Sequence, residues 1–421
     1  MDNADRPRKK FFYGYWVLLA VFAGVFIFAG GGLYAFSFFV IPLQTDMGWD
    51  RSTIMLGNTV WFLFMGFASP LVGRLVDRHG ARRVIAAGAV LTGLGFTALS
   101  QMHELWLYYA SYAVIGVGMA ALGQVPASAV VSNWFVKRRG LAIGVMSLAV
   151  GVGGLVVSPV LGGYILPVMG WRTAYFSLAL LTWVLILPLA AFVIKTKPQE
   201  KGLYPDGMSR EEFDAIPRAS AKTTGGLSLK MALATPAFWL IATCFLLHMF
   251  AQNGIMQTNV PHLTDVGFST TLVATVIGAV GIMSAFGKFG FGWLCDWIKA
   301  KFALAIGLAL QLAAIAVIMT IDADSSMVVL WIYAVLIGLG IGSWLPTMSI
   351  LVSTNFGLVS YGAIFGVVSL LNNIGGSLGP FMAGKVYDAT GTYQPAFTVF
   401  LILFAVSIPM ILLVKKPAAL S

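Results

Sequence analysis

The sequence predicts an all-α membrane protein in which twelve transmembrane helices form two pseudo-symmetric bundles of six, with both termini in the cytoplasm. Three observations support this fold class: an apolar composition, twelve long apolar runs, and an internal repeat. Of the 421 residues, 59% belong to the apolar set and only 10% are charged, against roughly 25% charged residues in soluble domains. An ordinary soluble enzyme is therefore excluded.

Each predicted span is a run of about 18 or more mostly apolar residues, long enough to cross a bilayer as a helix. The twelve runs are 15–42, 54–76, 84–101, 105–131, 140–166, 172–194, 236–260, 270–294, 302–321, 327–352, 362–384 and 394–414. A closed β-barrel would instead alternate apolar and polar residues in short segments, and these runs do not alternate.

Basic residues set the orientation of these spans, because cytoplasmic loops carry an excess of Lys and Arg. One side of the predicted topology carries 22 basic residues, whereas the opposite loops carry only Arg51, Arg172 and Lys385. The formal charge of +10 is therefore a matter of topology, and it gives no reason to expect a nucleic-acid partner.

The same pattern divides the chain into predicted segments. We expect a cytoplasmic tail over 1–14, an N-terminal six-helix bundle over 15–195, a cytoplasmic linker over 196–235, a C-terminal six-helix bundle over 236–414 and a cytoplasmic tail over 415–421. The N-terminal apolar run is too long for a cleaved signal peptide. We expect a monomer in the lipid bilayer, in a bacterial inner (plasma) membrane.

The two halves repeat each other. Residues 144–154 (GVMSLAVGVGG) match residues 366–376 (GVVSLLNNIGG) at six of eleven positions, at an offset of 222. Gly73 and Asp77 recur as Gly292 and Asp296, at an offset of 219. Two matches at nearly the same offset indicate a duplication, and parallel six-helix halves with a substrate site between them are a transporter architecture.

The loop between spans two and three carries the most specific motif. Residues 73–83 (GRLVDRHGARR) closely resemble the loop 2–3 motif of the major facilitator superfamily. The resemblance implies that this motif governs the conformational change, since its glycine permits close helix approach and Asp77 can receive a helix N-terminus and basic side chains of the other bundle. The residues concerned are Gly73, Asp77, Arg78, Gly80, Arg82 and Arg83, with Asp296 in a degraded second copy.

Further segments resemble the monocarboxylate transporters of that superfamily. Residues 133–144 (NWFVKRRGLAIG) are similar to the segment that leads into their span five, while residues 48–52 (GWDRS) and 235–239 (TPAFW) are similar to bacterial members and to the related oxalate:formate antiporters. The resemblance implies a secondary transporter of small organic monocarboxylates, such as lactate or pyruvate, moved with a proton by alternating access.

One charged residue lies inside a predicted span. Lys288 is eight residues before Asp296 on span eight, and a charge in this position is a functional hypothesis by default because it is costly in lipid. It occupies the position where the resembling transporters place a carboxylate-binding arginine. Its ammonium is expected to attract a single carboxylate. The alternative is that Lys288 extends toward the cytoplasmic surface.

Polar residues in other spans complete the predicted site. At about 100° per residue, His248, Gln252 and His262 share one face of span seven with Asn259. We expect His248 and Gln252 to line the cavity, with packing between helices as the alternative for His248. For Asn259 and His262 the alternative is a position in the external membrane interface. Span eleven contributes Asn373 and Asn372, for which polar contacts between helices are the alternative. The N-terminal half contributes Tyr34 after the glycines 30–32, and Gln124 on span four.

The residues that are missing limit the chemistry. No Asp or Glu lies within a span except Asp77 and Asp296 at the motif ends, so proton coupling would have to use Lys288, His248, His262 or the substrate carboxyl. The sequence has no ATP-binding lysine motif, no metal-ligand cluster and no nucleophile with a base. We therefore expect a transporter, not an enzyme, with no cofactor and no metal.

Two alternatives stay open. The first is anion:anion exchange of the oxalate:formate type, although the additional basic residue of that family falls near Val368 here. The second is a non-transporting membrane sensor on the same fold, for which the linker 196–235 is too short to supply an extra soluble domain.

Overall fold

The structure, a computed structural model, describes residues 12–136, 138–214, 226–357 and 360–416. Twelve transmembrane helices, named α1 to α12, follow the twelve predicted spans, which confirms the predicted fold class. They are α1 Gly14–Met47, α2 Arg51–His79, α3 Ala81–Ser100, α4 Leu105–Trp134, α5 139–169, α6 171–193, α7 Pro236–Asp265, α8 Thr270–Trp297, α9 Ala300–Met319, α10 Met327–Phe356, α11 Tyr361–Thr390 and α12 Gln394–Leu412.

Helices α5 and α6 follow each other without an intervening loop. The run Leu141–Val193 contains 53 residues, about 80 Å at a rise of 1.5 Å per residue, and the hydrocarbon core of a bilayer is only about 30 Å thick. Gly170 interrupts the run with φ 78° and ψ 170°, a conformation that essentially only glycine adopts without strain. The chain therefore turns at Gly170 and crosses the membrane twice.

The internal repeat corresponds to equivalent helix crossings in the two bundles. A Cβ atom on Gly153 of α5 would lie 2.9 Å from the carbonyl oxygen of Phe26 in α1, and one on Gly375 of α11 would lie 2.1 Å from the carbonyl oxygen of Leu246 in α7. The two glycines are 222 residues apart and the two carbonyl groups 220. The repeated glycines therefore exist because both crossings bring backbones into direct contact.

In the described part of the chain, the bundles are joined mainly by α2 with α11, α5 with α8, and α1 with α7. The α5 and α8 backbones approach so closely that a Cβ atom on Gly151 would lie 2.5 Å from the carbonyl oxygen of Gly281. Near the outer ends of α2 and α11, a Cβ atom on Gly384 would lie 2.7 Å from Cα of Ser52.

Several helices are irregular near the middle of the membrane. Helix α1 widens into a π-helical segment over Phe28–Tyr34, which contains the predicted glycine cluster. Helix α4 stops at Leu122, passes through extended Gly123 and restarts at Gln124. Helix α10 has a weaker interruption at Ser343, 220 residues after Gly123, so the repeat includes this feature too.

The linker between the bundles lies against both of them. Its N-terminal part contains the short helices Pro198–Lys201, Pro205–Gly207 and Arg210–Asp214, and residues 215–225 lie outside the described residues. The carboxylate of Asp206 accepts a hydrogen bond of 2.8 Å from the backbone N–H of Val136, and Leu227 N–H donates one of 2.8 Å to the carbonyl oxygen of Phe356. The linker is thus attached to the cytoplasmic end of each bundle.

The contact between α11 and α7 yields a packing prediction. Replacing Gly375 by alanine places a methyl group against the Leu246 carbonyl oxygen, at 2.1 Å before relaxation, and overpacking of this kind costs about 1–3 kcal/mol. We expect a lower melting temperature of the purified chain in detergent. Gly366→Ala, on the same helix with no atom within 4 Å of the new Cβ, is the control and should leave the melting temperature unchanged or raise it. Equal effects of both substitutions would contradict the close crossing.

Candidate functional site

A cavity lies between the two bundles and opens toward the side that the basic residues mark as cytoplasmic. The part of the cavity nearest that side, here called the inner chamber, has a volume of about 610 Å³ and is lined by α4, α5, α8, α10 and α11. A deeper space of about 300 Å³, here called the central chamber, is also lined by α1, α2 and α7. The two chambers adjoin, because Gln124, Val125, Lys288, Leu345 and Phe365 line both.

Lys288 stands where the two chambers meet. Its side chain extends from α8 into the space between the bundles. Within the described ranges, no carboxylate lies at ion-pair distance from its ammonium group. A charged group in a largely apolar site is destabilised unless an opposite charge or hydrogen bonds replace its lost hydration. An anionic ligand would supply that charge.

Three amide side chains that can form further hydrogen bonds face the central chamber. Gln252 of α7 is 7% exposed, and its Oε1 atom has no hydrogen-bond partner among the described residues. Gln124 and Asn373 also line the central chamber. Because amides both donate and accept hydrogen bonds, these groups can orient a polar ligand beside Lys288.

Asn372 and Tyr34 line the central chamber in a different way. The Oδ1 atom of Asn372 accepts a hydrogen bond of 3.1 Å from Nε1 of Trp344, so it also ties α11 to α10. The ring of Tyr34 packs on Gly154, where a Cβ atom would lie 2.9 Å from its Cζ. Six of the seven predicted substrate-binding residues thus line the central chamber: Lys288, Gln252, Asn373, Asn372, Tyr34 and Gln124.

The seventh, His248, lies elsewhere, and the expectation that it lines the cavity is wrong. It is fully buried, its Nε2 atom is 3.0 Å from Nε2 of Gln311 in α9, and its ring packs at 5.8 Å from that of Phe404 in α12. His262 is also directed at α12, with its ring edge-on to Phe397 at 4.8 Å. Both histidines hold the C-terminal bundle together, so neither is placed to exchange a proton with a ligand in the central chamber.

The orientation of α7 explains this difference. At about 100° per residue, the chamber-lining side chains of α7 are centred about 90° from His248. These side chains are Met249, Gln252, Asn253 and Met256. Asn259 lies on the same face as His248 and also bonds within its own bundle, since its Oδ1 accepts a hydrogen bond from the hydroxyl of Tyr333 on α10. Gln252 lies between the two faces, which is why it is the member of the predicted stripe that reaches the chamber.

The interruption of α4 adds a second favourable feature for an anion. The helix restarts at Gln124, so the first backbone N–H groups of Gln124–Trp134 have no partner within the helix. Gly123 and Gln124 both line the central chamber. The N-terminal end of a helix carries a partial positive charge, and interrupted transporter helices direct such ends toward anionic groups.

The outer side of the molecule is closed by Arg51. This side chain is 3% exposed, and its Nη1 and Nη2 atoms donate to the two carboxylate oxygens of Asp265 at 2.5 and 2.7 Å. The Asp388 carboxylate accepts the backbone N–H groups of Arg51 and Ser52 at 3.0 and 2.9 Å, which caps α2. Since Arg51 belongs to the N-terminal bundle and both acids to the C-terminal bundle, these contacts, here called the outer seal, join the two halves.

A layer of amides lies between the outer seal and the central chamber. Asn253 Nδ2 donates to Oδ1 of Asn58 at 2.8 Å and to the carbonyl oxygen of Gly376 at 2.6 Å. Gln257 Nε2 donates to the carbonyl oxygen of Leu33 at 3.2 Å. These bonds connect α7 to α1 and α2, so the cavity is closed on its outer side and open toward the cytoplasm.

Sequence reasoning missed most of these closing residues. Asp265 and Asp388 lie at the outer ends of α7 and α11 in a chain that has only 16 acidic residues, and this scarcity was the available signal. Their partner Arg51 is 214 residues from Asp265 and 337 from Asp388. No local spacing links residues that far apart.

The loop 2–3 motif lies at the cytoplasmic ends of α2 and α3. Gly80 has φ 82° and ψ 151°, which separates the two helices, and Ala81 N–H donates to Oγ1 of Thr196 at 2.8 Å. The side chain of Asp77 lies outside the described residues. Arg78, Arg82, Arg83 and Asp296 are exposed. Gly73 lies beside α4, where a Cβ atom would be 3.8 Å from Val125 Cγ1.

The outer seal yields a prediction about conformation. Asp265→Asn leaves the buried guanidinium of Arg51 without its bidentate carboxylate. Because the Asp265 side chain is 29% exposed, the cost lies between about 0–1 kcal/mol for an exposed pair and about 3–5 kcal/mol for a fully buried one. We expect the outer side to open more often. The measurement is the rate at which a membrane-impermeant maleimide labels Thr59→Cys from outside, with Cys244 and Cys295 replaced by alanine; Thr59 is 6% exposed beneath the seal.

Asp46→Asn is the matched control. It removes the exposed ion pair with Arg172, whose side chains are 50% and 41% exposed, and such pairs contribute about 0–1 kcal/mol. Labelling should be faster than in the parent only with Asp265→Asn. Equal labelling in the two variants would show that the ion pair does not hold the outer side closed.

Comparison with known proteins agrees with this architecture. The chain is 25% identical to an uncharacterized MFS-type transporter, YcxA, of Bacillus subtilis (strain 168), over 92% of this chain and 90% of that protein. It is 27% identical to monocarboxylate transporter 13 of Rattus norvegicus, over 91% of this chain and 84% of that one. It is 22% identical to the oxalate:formate antiporter of Oxalobacter formigenes, over 92% of this chain and 89% of that protein.

A solved structure and a family model complete the comparison. A bacterial homologue of the human lysosomal transporter Spinster, in an inward-facing and occupied conformation, superposes with a TM-score of 0.74 over 96% of this chain and 97% of that one, at 16% identity. At that identity the likeness concerns the fold alone. Residues 20–380 match the model of the Major Facilitator Superfamily, and the chain therefore belongs to this superfamily of transporters.

Proposed function

We propose that this chain is a secondary transporter that carries small organic monocarboxylates by alternating access, together with a proton. The observation that carries the proposal is Lys288, an ammonium group that faces a cavity between the two bundles without a carboxylate partner in the described part of the chain. Two of the relatives, named monocarboxylate transporter 13 and oxalate:formate antiporter, support a carboxylate as the ligand.

In this proposal Lys288 binds the carboxylate and the surrounding amides orient the rest of the molecule. Gln252, Asn373 and Gln124 line the central chamber with it, and the N-terminal end of Gln124–Trp134 adds a partial positive charge. Lys288 is the single Lys or Arg among the described residues that line the two chambers. One cation matches one negative charge, which favours a monocarboxylate over a dicarboxylate.

Few groups at the site can carry the transported proton. The described residues that line the two chambers include no Asp or Glu, and the two histidines of α7 are engaged with other helices. We therefore assign the proton to the substrate carboxyl or to the Lys288 ammonium. The site then carries no net charge, either as a carboxylate beside the Lys288 ammonium or as a protonated carboxyl beside a neutral Lys288 amine. A net charge would oppose movement of the occupied cavity through its closed state.

Alternation requires that the two sides of the cavity close in turn. The observed state is closed by the outer seal and open to the cytoplasm. We assign to the loop 2–3 motif, including Asp77 and the exposed Arg78, Arg82 and Arg83, the stabilisation of the opposite state, in which the cytoplasmic ends of the bundles meet. Gly73, Gly80 and Asp296 belong to the same assignment.

Anion exchange is the second candidate function. The match to the oxalate:formate antiporter covers 92% of this chain, which favours it. Val368, at the position expected for an additional basic residue, is fully buried and apolar, which argues against a doubly charged substrate. An exchanger would move a labelled monocarboxylate only against unlabelled anion on the opposite side.

Substitution of Lys288 tests the carboxylate site. Lys288→Ala should reduce uptake of radiolabelled lactate and 3-phenyllactate into proteoliposomes by at least about tenfold, because the hydrogen bond to a charged group contributes about 1.5–3 kcal/mol. Lys288→Arg should retain part of the uptake, since it keeps the charge. Lys385→Ala, which removes an exposed lysine at the outer end of α11, is the control. Unchanged uptake by Lys288→Ala would refute the assigned role.

Proton coupling has its own test. An inward proton gradient at constant membrane potential should drive accumulation of labelled 3-phenyllactate above its external concentration, and a protonophore should abolish this accumulation. Counterflow without any dependence on the proton gradient would instead establish the exchange mechanism.

A further inference from the structure

The central chamber is built for more than a carboxylate. On the basis of the proposed function, we infer that the substrates are monocarboxylates with an apolar body about the size of an aromatic ring or a branched chain, and that three-carbon acids such as lactate and pyruvate are poor ligands. The carboxylate binds at Lys288 and the apolar body occupies the central chamber.

The size of the chamber is the first observation. Its volume is about 300 Å³, and it continues into the inner chamber of about 610 Å³. Pockets of roughly 300–1,000 Å³ are typical for ligands of drug size. A three-carbon acid held at Lys288 would leave most of this volume to water.

The chemistry of the wall is the second observation. Most residues that line the central chamber are apolar, and the larger ones come from both bundles. They include Phe28, Phe62, Met65, Met249, Met256 and Trp344. Water in contact with such a surface is unfavourable, and an apolar ligand body that displaces it gains affinity in proportion to the area it covers.

The flexibility of the wall indicates how selective it is. Methionine side chains are unbranched and polarizable, so they adapt to bodies of different shape. Met65 comes from α2, Met249 and Met256 from α7, so adaptable groups stand on both sides of the space. We therefore expect a group of related acids to bind, with affinity set by the apolar area they bury.

The charged group lies at one end of this wall, which sets the orientation of the ligand. Lys288 and Gln124 line both chambers, whereas Phe62, Met249 and Met256 line the central chamber but not the inner one. A carboxylate at Lys288 therefore lies at the cytoplasmic end of the site. The apolar body extends from there toward the amide layer beneath the outer seal.

A matched series of 2-hydroxy acids tests the inference by thermal shift of the purified full-length chain in detergent. The series is lactate, 2-hydroxybutyrate, 2-hydroxyhexanoate and 3-phenyllactate, with neutral 3-phenyllactamide beside it. We expect affinity to rise about fourfold per added methylene, as the transfer free energy of a methylene implies. 3-Phenyllactate should bind at least about tenfold more tightly than lactate.

Two variants relate that trend to the chamber. Ser369→Phe fills the central chamber next to Asn373, because Ser369 lines it one helical turn away. This substitution should weaken the binding of 3-phenyllactate much more than the binding of lactate. Leu370→Phe is the control. Leu370 is the next residue on α11 and is 43% exposed, so this substitution should leave the affinities for all acids of the series unchanged.

The outcomes separate this inference from the proposed function. Lactate binding as tightly as 3-phenyllactate, or Ser369→Phe weakening both acids equally, would overturn the inference and leave the proposed function intact. Failure of every acid to bind, or equal binding of the acid and its neutral amide, would overturn the carboxylate site itself and the inference with it. A rising series that Lys288→Ala abolishes and Leu370→Phe preserves would establish both.

Discussion

Removing a cation from water costs several kcal/mol unless a counter-charge takes the place of its hydration. The buried Arg51 and the half-buried Lys288 meet that requirement differently. Arg51 is neutralised within the protein by Asp265, and the aromatic ring of Tyr387 lies 3.7 Å from its guanidinium carbon. Lys288 has no such carboxylate among the described residues. The first cation therefore joins the two bundles, while the second is the group to which the proposed function assigns an anion that enters from the cytoplasm.

Helix α7 separates these two functions on its surface. One face bonds to the rest of its own bundle through His248 and Asn259. Another face meets the opposite bundle through Asn253 and Gln257, and it presents Gln252 to the central chamber. The polar side chains on these faces are buried against protein or face the chamber, away from lipid, which is the condition for so many amides in one transmembrane helix. Oε1 of Gln252 and of Gln257 have no hydrogen-bond partner among the described residues. Movement of α7 relative to α1 and α2 would break the amide layer and the outer seal together.

The scaffold is symmetric but the site is not. The glycine crossings and the interruptions of α4 and α10 recur at offsets of 220 to 222 residues. At an offset of 219, the N-terminal equivalent of Lys288 is Ser69, which lines the same central chamber. In the proposed function, the duplicated framework permits alternation between two states, and the charge placed in one half gives the cavity its preference for an anion.

The amino-acid pattern is enough to predict the twelve helices, their orientation and the exceptional position of Lys288, because lipid allows few backbone solutions and penalises an isolated charge wherever it occurs. It also predicts Gln252, Asn373 and Gln124 on helices that line the central chamber. The rotation of α7, which turns His248 away from the cavity, and the pairing of Arg51 with Asp265 become visible only once the helices are packed. Helical periodicity defines which residues share a face, but the partner of that face depends on how the helices pack.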